Sequence, residues 1–438
     1  MSENSSEVKE KALSAEELNS LSEHRVRGKD EPPDPKYLLE VRHLCKYFPL
    51  GANFFGKPTS YLRAVDDISF GIERGKTIGV VGESGCGKTT LGRTILRLYD
   101  ITSGQVFFDG KDLAKVPPKE LRKMRVDMQL IFQDPYSSLP PRMTVGAIIS
   151  EAVKVHHIVP KDKVNEHVLN IMKMCGLQPQ YYDRYPHEFS GGQRQRICIA
   201  RALAVNPKLV ICDEPVSALD VSIQAQIINL LKQLQNEMGL TYVFISHDLS
   251  VVKYITDKIA VMYLGNMMEL GNTNDIFANP LHPYTQALFS AVPIPDPDVK
   301  MNRIILKGDI PSPANPPAGC KFHTRCAKCM AVCKHLAPRF KAVAPDHFVA
   351  CHLYDEEMLA QNSKYEELEK ADIKISESIE EKKSEMISTS DYKKRKHTKN
   401  PLRKKKTLSL VNNFHGKKEK AKICRWRSHN LQYGYRRL

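Results

Sequence analysis

Residues 82–89 read GESGCGKT, and this segment constrains the fold more than any other part of the chain. It follows GKTIGVVG, a short apolar run typical of a buried strand. It precedes LGRTILRLYD, in which Leu91, Ile95 and Leu98 have helical spacing. The pattern G-x-x-x-x-G-K-T between a strand and a helix predicts a loop that wraps phosphate groups.

The residue types of this loop suit a nucleotide. The glycines let the backbone curl so that its N–H groups point at phosphate oxygens, and the following helix adds its positive end. Lys88 is expected to bind the β- and γ-phosphates, and the Thr89 hydroxyl to bind Mg²⁺. The alternatives are a glycine-rich turn without ligand and, at Cys86, an oxidation-sensitive thiol. The candidate ATP contacts are Gly82, Glu83, Ser84, Gly85, Cys86, Gly87, Lys88, Thr89 and Thr90.

A second chemical signal is LVICDE at residues 209–214, an apolar strand that ends in two acids. Proteins with a phosphate loop place a metal-binding carboxylate at such a strand end. We therefore expect Asp213 to orient Mg²⁺, directly or through water. Glu214 is then placed to polarise the attacking water.

The periodicity around these motifs predicts an α/β fold. LLEVRHLCKYF, YLRAVDDISFGI, QVFFDG and LTYVFISHD read as strands, and residues 190–205 and SIQAQIINLLKQLQNEMG read as helices. Residues 134–188 are predicted to be mostly helical. Strands that alternate with helices indicate a mainly parallel sheet covered by helices.

Residues 189–203, FSGGQRQRICIARAL, lie between the loop and the acid pair and resemble the signature motif of ABC ATPases. The resemblance implies the ABC nucleotide-binding fold, with an antiparallel β subdomain and a helical subdomain at about residues 134–190. It implies catalytic roles for Glu214, His247 and Gln133, with Gln133 also near Mg²⁺. It places Phe48, or its neighbour Tyr47, against adenine.

The same resemblance implies that two cassettes enclose two ATP molecules head to tail. Ser190, Gly191 and Gly192 would then contact the γ-phosphate held by a second cassette. Gln193 and Asp220, the latter in the SALD segment at residues 217–220, complete the candidate nucleotide contacts. A helix start rich in small residues is itself an anion site, which agrees with this role.

Several stretches are similar to the ATP-binding subunits of oligopeptide and dipeptide permeases, particularly the F-type subunit. They include FQDPYSSLPPRMTVG, DEPVSALDVSIQAQIINLL and HPYTQALFSAVP, and the resemblance covers roughly residues 37–353. It implies peptide uptake with a paralogous second cassette, two transmembrane permease subunits and an extracytoplasmic peptide-binding protein. The alternatives are a related nickel or sugar importer and a soluble ABC ATPase that acts on nucleic acid.

Five of the eleven cysteines fall within residues 320–351. In a cytosolic protein such a cluster favours a metal over disulfides. The spacing of four of them resembles the pattern that ends many of these subunits, where an iron–sulfur cluster occurs in some members. We therefore expect a [4Fe–4S] cluster, structural zinc, or a small subdomain with reduced cysteines. The four are Cys320, Cys326, Cys333 and Cys351.

Composition divides the chain further. We expect a disordered N-terminal extension (residues 1–36), the ATPase domain (37–280), a Cys-rich subdomain (281–353) and a charged disordered tail (354–438), with a solvated helix as the alternative for residues 354–386, which are dense in Glu and Lys. The net charge of +15 resides in residues 391–438, which hold 17 Lys and Arg and 2 Asp and Glu. We expect no secretory signal and no membrane span, and therefore a protein kept in the cytosol. The resemblance to permease subunits implies a peripheral position at the cytoplasmic face of the plasma (inner) membrane.

Overall fold

The computed structural model describes residues 30–53, 57–292 and 303–370. Besides the labelled elements given next, a helix occupies residues 356–370. The strands are β1 Tyr37–Leu50, β2 Ser60–Glu73, β3 Thr77–Val81, β4 Ser103–Phe108, β5 Lys111–Asp112, β6 Met128–Ile131, β7 Leu209–Asp213, β8 Thr241–Ile245, β9 Lys258–Tyr263, β10 Asn266–Asn272, β11 Lys341–Ala344 and β12 His347–Val349. The helices are α1 Lys88–Ile95, α2 Pro118–Met124, α3 Pro135–Ser138, α4 Val145–Val155, α5 Val164–Met174, α6 Gly191–Leu203, α7 Val221–Met238, α8 Leu249–Ile255, α9 Thr273–Ala278, α10 Pro283–Ser290 and α11 Ala331–His335.

The centre of the fold is an eight-stranded sheet in the order β11-β12-β10-β9-β3-β8-β7-β6. Strands β9, β3, β8, β7 and β6 pair in parallel. Successive residues of a strand pack on opposite faces of the sheet. Ile211 of β7 and Val243 of β8 pack on one face, while Cys212 of β7 and Tyr242 of β8 pack on the other. Burial on both faces explains why these strands are continuously apolar. The predicted α/β fold with a mainly parallel sheet is confirmed.

A second sheet, in the order β2-β1-β4-β5, is antiparallel. Its apolar face, with Leu39 and Val41, packs against α1 and the central sheet around Leu91 and Val80. Its first strand also fixes the segment before it, because Arg42 donates hydrogen bonds to the carbonyls of residues 31 and 32. The expected disorder of residues 1–36 is therefore wrong for residues 30–36, while residues 1–29 lie outside the described residues.

The other face of the central sheet carries the helical layer. Helices α4, α5 and α6 bury Ile149, Val168 and Ile197 in one core together with α7. The segment predicted as a helical subdomain at 134–190 contains α3, α4 and α5 and short 3-10 turns. In the helix after the glycine-rich loop, Leu98 does not take the predicted place, since α1 ends at Ile95 and Leu98 is 46% exposed.

The C-terminal region extends the central sheet. Strand β12 pairs with β10, Glu269 opposite Val349, and β11 pairs with β12. The predicted boundary after residue 280 therefore does not separate a subdomain from the sheet. At the start of the charged tail the helical alternative holds and the disordered one does not, because residues 356–370 are helical and Asn362 accepts a hydrogen bond from the Val332 N–H. Residues 371–438, including the basic tail, lie outside the described residues.

A buried polar cluster fastens this region to the sheet. Glu269 on β10 is 0% exposed and accepts hydrogen bonds from the N–H groups of Leu281 and His282, both at 2.9 Å. Its Oε1 also lies 2.7 Å from Nε2 of His347 on β12. Each of these groups would carry a desolvation cost if its partner were lost. The cluster thus ties β10, the start of α10 and β12 together.

Across residues 30–53, 57–292 and 303–370, no helix combines the length and the apolar character that a bilayer crossing requires.

The buried His282 predicts acid lability of the fold. Burial lowers the pKa of His282 from 6.5 to about 4. Between these values the unfolded chain binds a proton at this side chain and the folded chain does not, so stability falls as pH falls through that window. Chemical unfolding should therefore show that the free energy of unfolding falls between pH 7 and pH 4 by about 3 kcal/mol less in His282→Asn than in the unmodified chain.

Asparagine is the chosen replacement because its side-chain oxygen can accept the Tyr284 N–H that His282 Nδ1 now accepts at 3.0 Å. The surface variant His187→Asn serves as the matched control and should keep the pH dependence of the unmodified chain. An equal fall in the free energy of unfolding in His282→Asn and in the unmodified chain would contradict the assignment of the acid lability to His282.

Candidate nucleotide site

The loop at residues 82–89 joins the end of β3 to the start of α1. Gly82 and Gly87 have positive φ angles of 150° and 107°. A Cβ at Gly87 would lie 2.0 Å from the Ala64 carbonyl oxygen, and one at Gly82 would lie 2.2 Å from that of Met262. No side chain fits at either position, so the loop backbone packs directly against the carbonyls of Ala64 and Met262.

Lys88 is buried and turns back onto the loop. Its Nζ donates to the carbonyl oxygens of Gly82 at 2.8 Å and Glu83 at 3.0 Å. A buried ammonium needs such acceptors, and phosphate oxygens would satisfy it better because they carry charge. Burial raises the pKa of the nearby Cys86 thiol. A thiol that stays protonated reacts slowly with oxidants, which disfavours an oxidation-sensitive role for Cys86.

An acid and a hydroxyl meet at the start of α1. Thr89 Oγ1 donates to Asp213 Oδ1 at 2.8 Å, and Asp213 is 2% exposed at the end of β7. Burial raises the pKa of Asp213, and the hydrogen bond from Thr89 acts against that rise. A divalent cation beside this carboxylate would favour its ionised form. Two hard oxygen donors next to a phosphate loop fit Mg²⁺.

The side chains of Gln133 and His247 converge on that of the next residue, Glu214. Gln133 Nε2 donates to Glu214 Oε2 at 2.8 Å, and His247 Nδ1 lies 3.4 Å from Glu214 Oε1. Glu214 itself has a φ of 47°, a conformation that costs energy in a residue other than glycine. The three follow β6, β7 and β8, whose carboxyl ends lie at one edge of the sheet. The fold therefore brings Gln133, Glu214 and His247 together.

These groups open onto a cavity of about 640 Å³ between the loop and the antiparallel sheet. Phe48 lines it and stacks edge-on against Tyr99. The hydroxyl of the adjacent Tyr47 instead donates to Asp66. The geometry thus favours Phe48 over Tyr47 as the aromatic side chain for a base. The lining residues are Phe48, Leu62, Arg63, Ala64, Ser84, Gly85, Cys86, Gly87, Lys88, Thr89, Thr90, Gln133, Glu214, His247, Gly265 and Pro313.

The SGGQ segment takes no part in this lining. Ser190 caps α6 by accepting the Gln193 N–H, and Gln193 Oε1 accepts the Ser190 N–H at 3.1 Å. A Cβ at Gly192 would lie 2.5 Å from a methyl carbon of Ile223, so this turn presents bare backbone. Asp220 precedes α7 and is exposed. The structure therefore places the two predicted halves of the nucleotide contacts on separate surfaces of one chain.

Sequence reasoning missed contacts that the C-terminal region makes with the loop. Pro313 lines the cavity, and its carbonyl accepts the Arg63 N–H. The Tyr284 hydroxyl accepts the Glu83 N–H at 2.9 Å, and Arg325 binds the Glu83 carboxylate. No local pattern could reveal these partners, which are more than 200 positions away in the sequence. The available signal was the stretch HPYTQAL, which contains Tyr284 and is similar to oligopeptide and dipeptide permease subunits but does not indicate a contact with the loop.

The cysteines of the C-terminal region lie near one another. Burial raises the pKa values of Cys320 and Cys351 to about 12, and the charges of neighbouring cysteines add to both rises. In the described part of the chain, no group of three or more His, Cys, Asp or Glu side chains is arranged to hold a metal ion. The geometry of the four cysteines therefore does not fit a cluster or zinc in this arrangement.

Comparisons with known proteins identify the family of this chain. Residues 65–217 match the ABC transporter family, and residues 268–333 match the C-terminal region of oligopeptide/dipeptide transporters. The oligopeptide transport ATP-binding protein AppF of Bacillus subtilis is 55% identical over 320 residues, which cover 72% of this chain and 97% of that protein. OppF of Haemophilus influenzae, named likewise, is 54% identical over 72% of this chain and 96% of its own length.

A putative peptide import ATP-binding protein of Brucella ovis is 51% identical over 314 residues, which cover 72% of this chain and 97% of that protein. Identity of this extent, over nearly the whole of each relative, covers both the cassette and the region after it. The chain is therefore an ABC-type ATPase, and it belongs to the family of ATP-binding subunits of oligopeptide and dipeptide transporters.

Proposed function

We propose that this chain binds ATP with Mg²⁺ in the cavity beside residues 82–89, hydrolyses it, and thereby drives uptake of oligopeptides or dipeptides. The observation that carries the proposal is the convergence of Gln133 and His247 on Glu214, beside the pair Thr89–Asp213. The names of the relatives, which are oligopeptide transport and peptide import ATP-binding proteins, support the choice of solute.

Each side chain has a role that follows from its position. Lys88 exchanges its carbonyl acceptors for the β- and γ-phosphates, and the N–H groups of residues 84, 85 and 87–89 hold the remaining phosphate oxygens. Thr89 and Asp213, with Gln133 nearby, would hold Mg²⁺, which when bound neutralises phosphate charge. Phe48 lies where the base would stack.

Glu214 is the proposed residue that orients the attacking water. It projects from the end of β7 into the cavity and has side-chain partners on both oxygens. Gln133 and His247 each contact a different oxygen of the carboxylate, so it meets the water in a fixed direction. The left-handed backbone at Glu214 supports this role, because strained residues cluster at functional sites.

The second surface, at the start of α6, is proposed to complete the site of another cassette. Ser190, Gly191, Gly192 and Gln193 offer a helix N-terminus to a γ-phosphate held elsewhere, and Asp220 lies at the same interface. The proposed partner is a paralogous ATPase subunit. Two transmembrane permease subunits and an extracytoplasmic peptide-binding protein complete the importer, which would place this chain at the cytoplasmic face of the plasma membrane.

Two other functions compete with peptide import. A nickel or sugar importer of similar build would use the same ATP chemistry with different membrane partners. A soluble ATPase that acts on nucleic acid would use the basic residues 391–438, which lie outside the described residues. The convergence at Glu214 suits all three functions, so the partners decide between them.

Isolation of this chain from its own membranes in mild detergent tests the choice of function. Under the peptide-import proposal, mass spectrometry should identify two membrane subunits, a second ATPase subunit and a peptide-binding protein. A nickel- or sugar-binding protein in place of the last would change the solute. Recovery of ribosomal proteins or nucleic acid without any membrane subunit would overturn the transport proposal and leave the ATPase chemistry intact.

The variant Glu214→Gln tests the hydrolytic role. It removes the negative charge that polarises water and leaves Lys88, Thr89 and Asp213 in place. Steady-state ATP turnover should fall about 10²- to 10⁴-fold, while the affinity for ATP stays near that of the unmodified chain. The matched control is Glu237→Gln, at an exposed position of α7, which should turn over ATP normally. Normal turnover by Glu214→Gln would remove this residue from the proposed role.

The cysteines support a separate hypothesis, that Cys320, Cys326, Cys333 and Cys351 rearrange around a [4Fe–4S] cluster or zinc when either is supplied. Their mutual proximity supports it, and the present arrangement does not fit a ligand set. Metal and acid-labile sulfide analysis of the chain purified without oxygen tests it. Iron with sulfide or stoichiometric zinc is the expected result, and Cys326→Ser should abolish it. A metal-free, folded protein would contradict the hypothesis.

A further inference from the structure

A salt bridge links the phosphate loop to the C-terminal region. Arg325 donates two hydrogen bonds to the Glu83 carboxylate, from Nη1 to Oε2 at 2.7 Å and from Nη2 to Oε1 at 3.0 Å. The two side chains are only 8% and 24% exposed. Such a bidentate, half-buried pair is stronger and more directional than a surface ion pair. It joins two positions that are 242 residues apart in the sequence.

Glu83 is held at three points. Its carboxylate binds Arg325, its N–H donates to the Tyr284 hydroxyl at 2.9 Å, and its carbonyl accepts from Lys88 Nζ at 3.0 Å. The same residue thus contacts the lysine of the loop on one side and the C-terminal region on the other. A change in how Arg325 holds Glu83 would therefore reach Lys88 through a single residue.

Arg325 rests on a rigid support. The Phe322 ring packs against those of Tyr263 and Tyr284, each at 5.3 Å between centroids, and Tyr263 also lies under the Arg325 guanidinium. Phe322 and Tyr263 are both 1% exposed and Tyr284 is 0% exposed. Buried aromatic rings lock each other's orientation, so the guanidinium is fixed before any ligand arrives.

The charge balance at the loop gives this salt bridge a chemical purpose. ATP brings several negative charges to a loop that contains the carboxylate of Glu83. Without a counter-charge, that carboxylate would repel the phosphates across a partly desolvated site. Arginine stays protonated at any working pH, and its planar fork matches a carboxylate, so it neutralises Glu83 permanently.

We propose that Arg325 is a positioning residue for ATP: by neutralising and fixing Glu83 it holds the phosphate loop ready for the nucleotide. The C-terminal region is then part of the ATP-binding machinery. This inference rests on the proposed use of the loop as the nucleotide site.

The test is the affinity of the full-length chain for ATP and Mg²⁺, measured by isothermal titration calorimetry. Arg325→Met should weaken binding about tenfold, because it leaves the Glu83 carboxylate uncompensated. The double variant Glu83→Gln with Arg325→Met removes that carboxylate as well and should restore the affinity to within about threefold. Arg325→Lys keeps the charge but loses the fork and should give an intermediate affinity. The loss in Arg325→Met should shrink at high ionic strength.

Two further variants separate the outcomes. Arg339→Met breaks an exposed ion pair with Glu357 in the same region and should bind ATP normally. Lys88→Ala should abolish tight binding. Unchanged affinity in Lys88→Ala would overturn the nucleotide site itself.

If Lys88→Ala loses tight ATP binding while folded Arg325→Met keeps normal affinity, the positioning role of Arg325 is overturned and the nucleotide site stands. Failure of the double variant to recover would overturn the neutralisation of Glu83. Thermal unfolding of every variant establishes that the chain is folded, and Arg325→Lys with and without Glu83→Gln provides the same comparison should Arg325→Met not fold.

Discussion

Parallel pairing of β3, β8, β7 and β6 is the constraint on which the rest of this structure depends. In such a sheet the carboxyl ends of all strands reach the same edge, so groups that are distant in the sequence become neighbours in space. The phosphate loop follows β3, Glu214 follows β7, His247 follows β8 and Gln133 follows β6. The site is therefore a consequence of strand direction and order, while the antiparallel sheet with α1 covers one face of the central sheet and the helical layer covers the other.

Much of this site could be predicted because its signals are local. Glycine at positions 82 and 87 reflects contacts closer than any Cβ allows, so the spacing of the motif carries the geometry of the loop. The central position of the strand that ends in Asp213 could likewise be predicted, since burial on both faces demands an uninterrupted apolar run. The central strands and the helices α6 and α7 followed from such patterns, whereas the roles of Gln133 and His247 beside Glu214 were implied by the resemblance to ABC ATPases.

The rest of the fold depends on contacts that leave no local trace. Strands β11 and β12 are short, and their place in the sheet is set by pairing with β10 and by the Glu269–His347 contact. The prediction therefore treated the C-terminal region as separate. For the same reason it placed residues 30–36 in a disordered extension, although Arg42 holds them. At residues 356–370 a helix was an alternative, but its contact with the cysteine-rich region through Val332 was not predicted. Arg325 has no distinguishing sequence context, and only its approach to Glu83 gives it a role.

The separation of the loop from the SGGQ segment has a physical consequence. The first N–H groups of any helix have no acceptor within it, and the start of α6 adds the positive end of its dipole. Ser190 and Gln193 satisfy each other, and Gly192 adds no side chain beyond its backbone. An anion is the natural complement of such a surface, yet the cavity that would hold phosphate within this chain is lined by other residues. One cassette thus offers a cradle at one place and an anion-binding helix end at another. Both would be used at once if a second cassette faced the first, which gives a reason from this chain's own geometry for the proposed pairing.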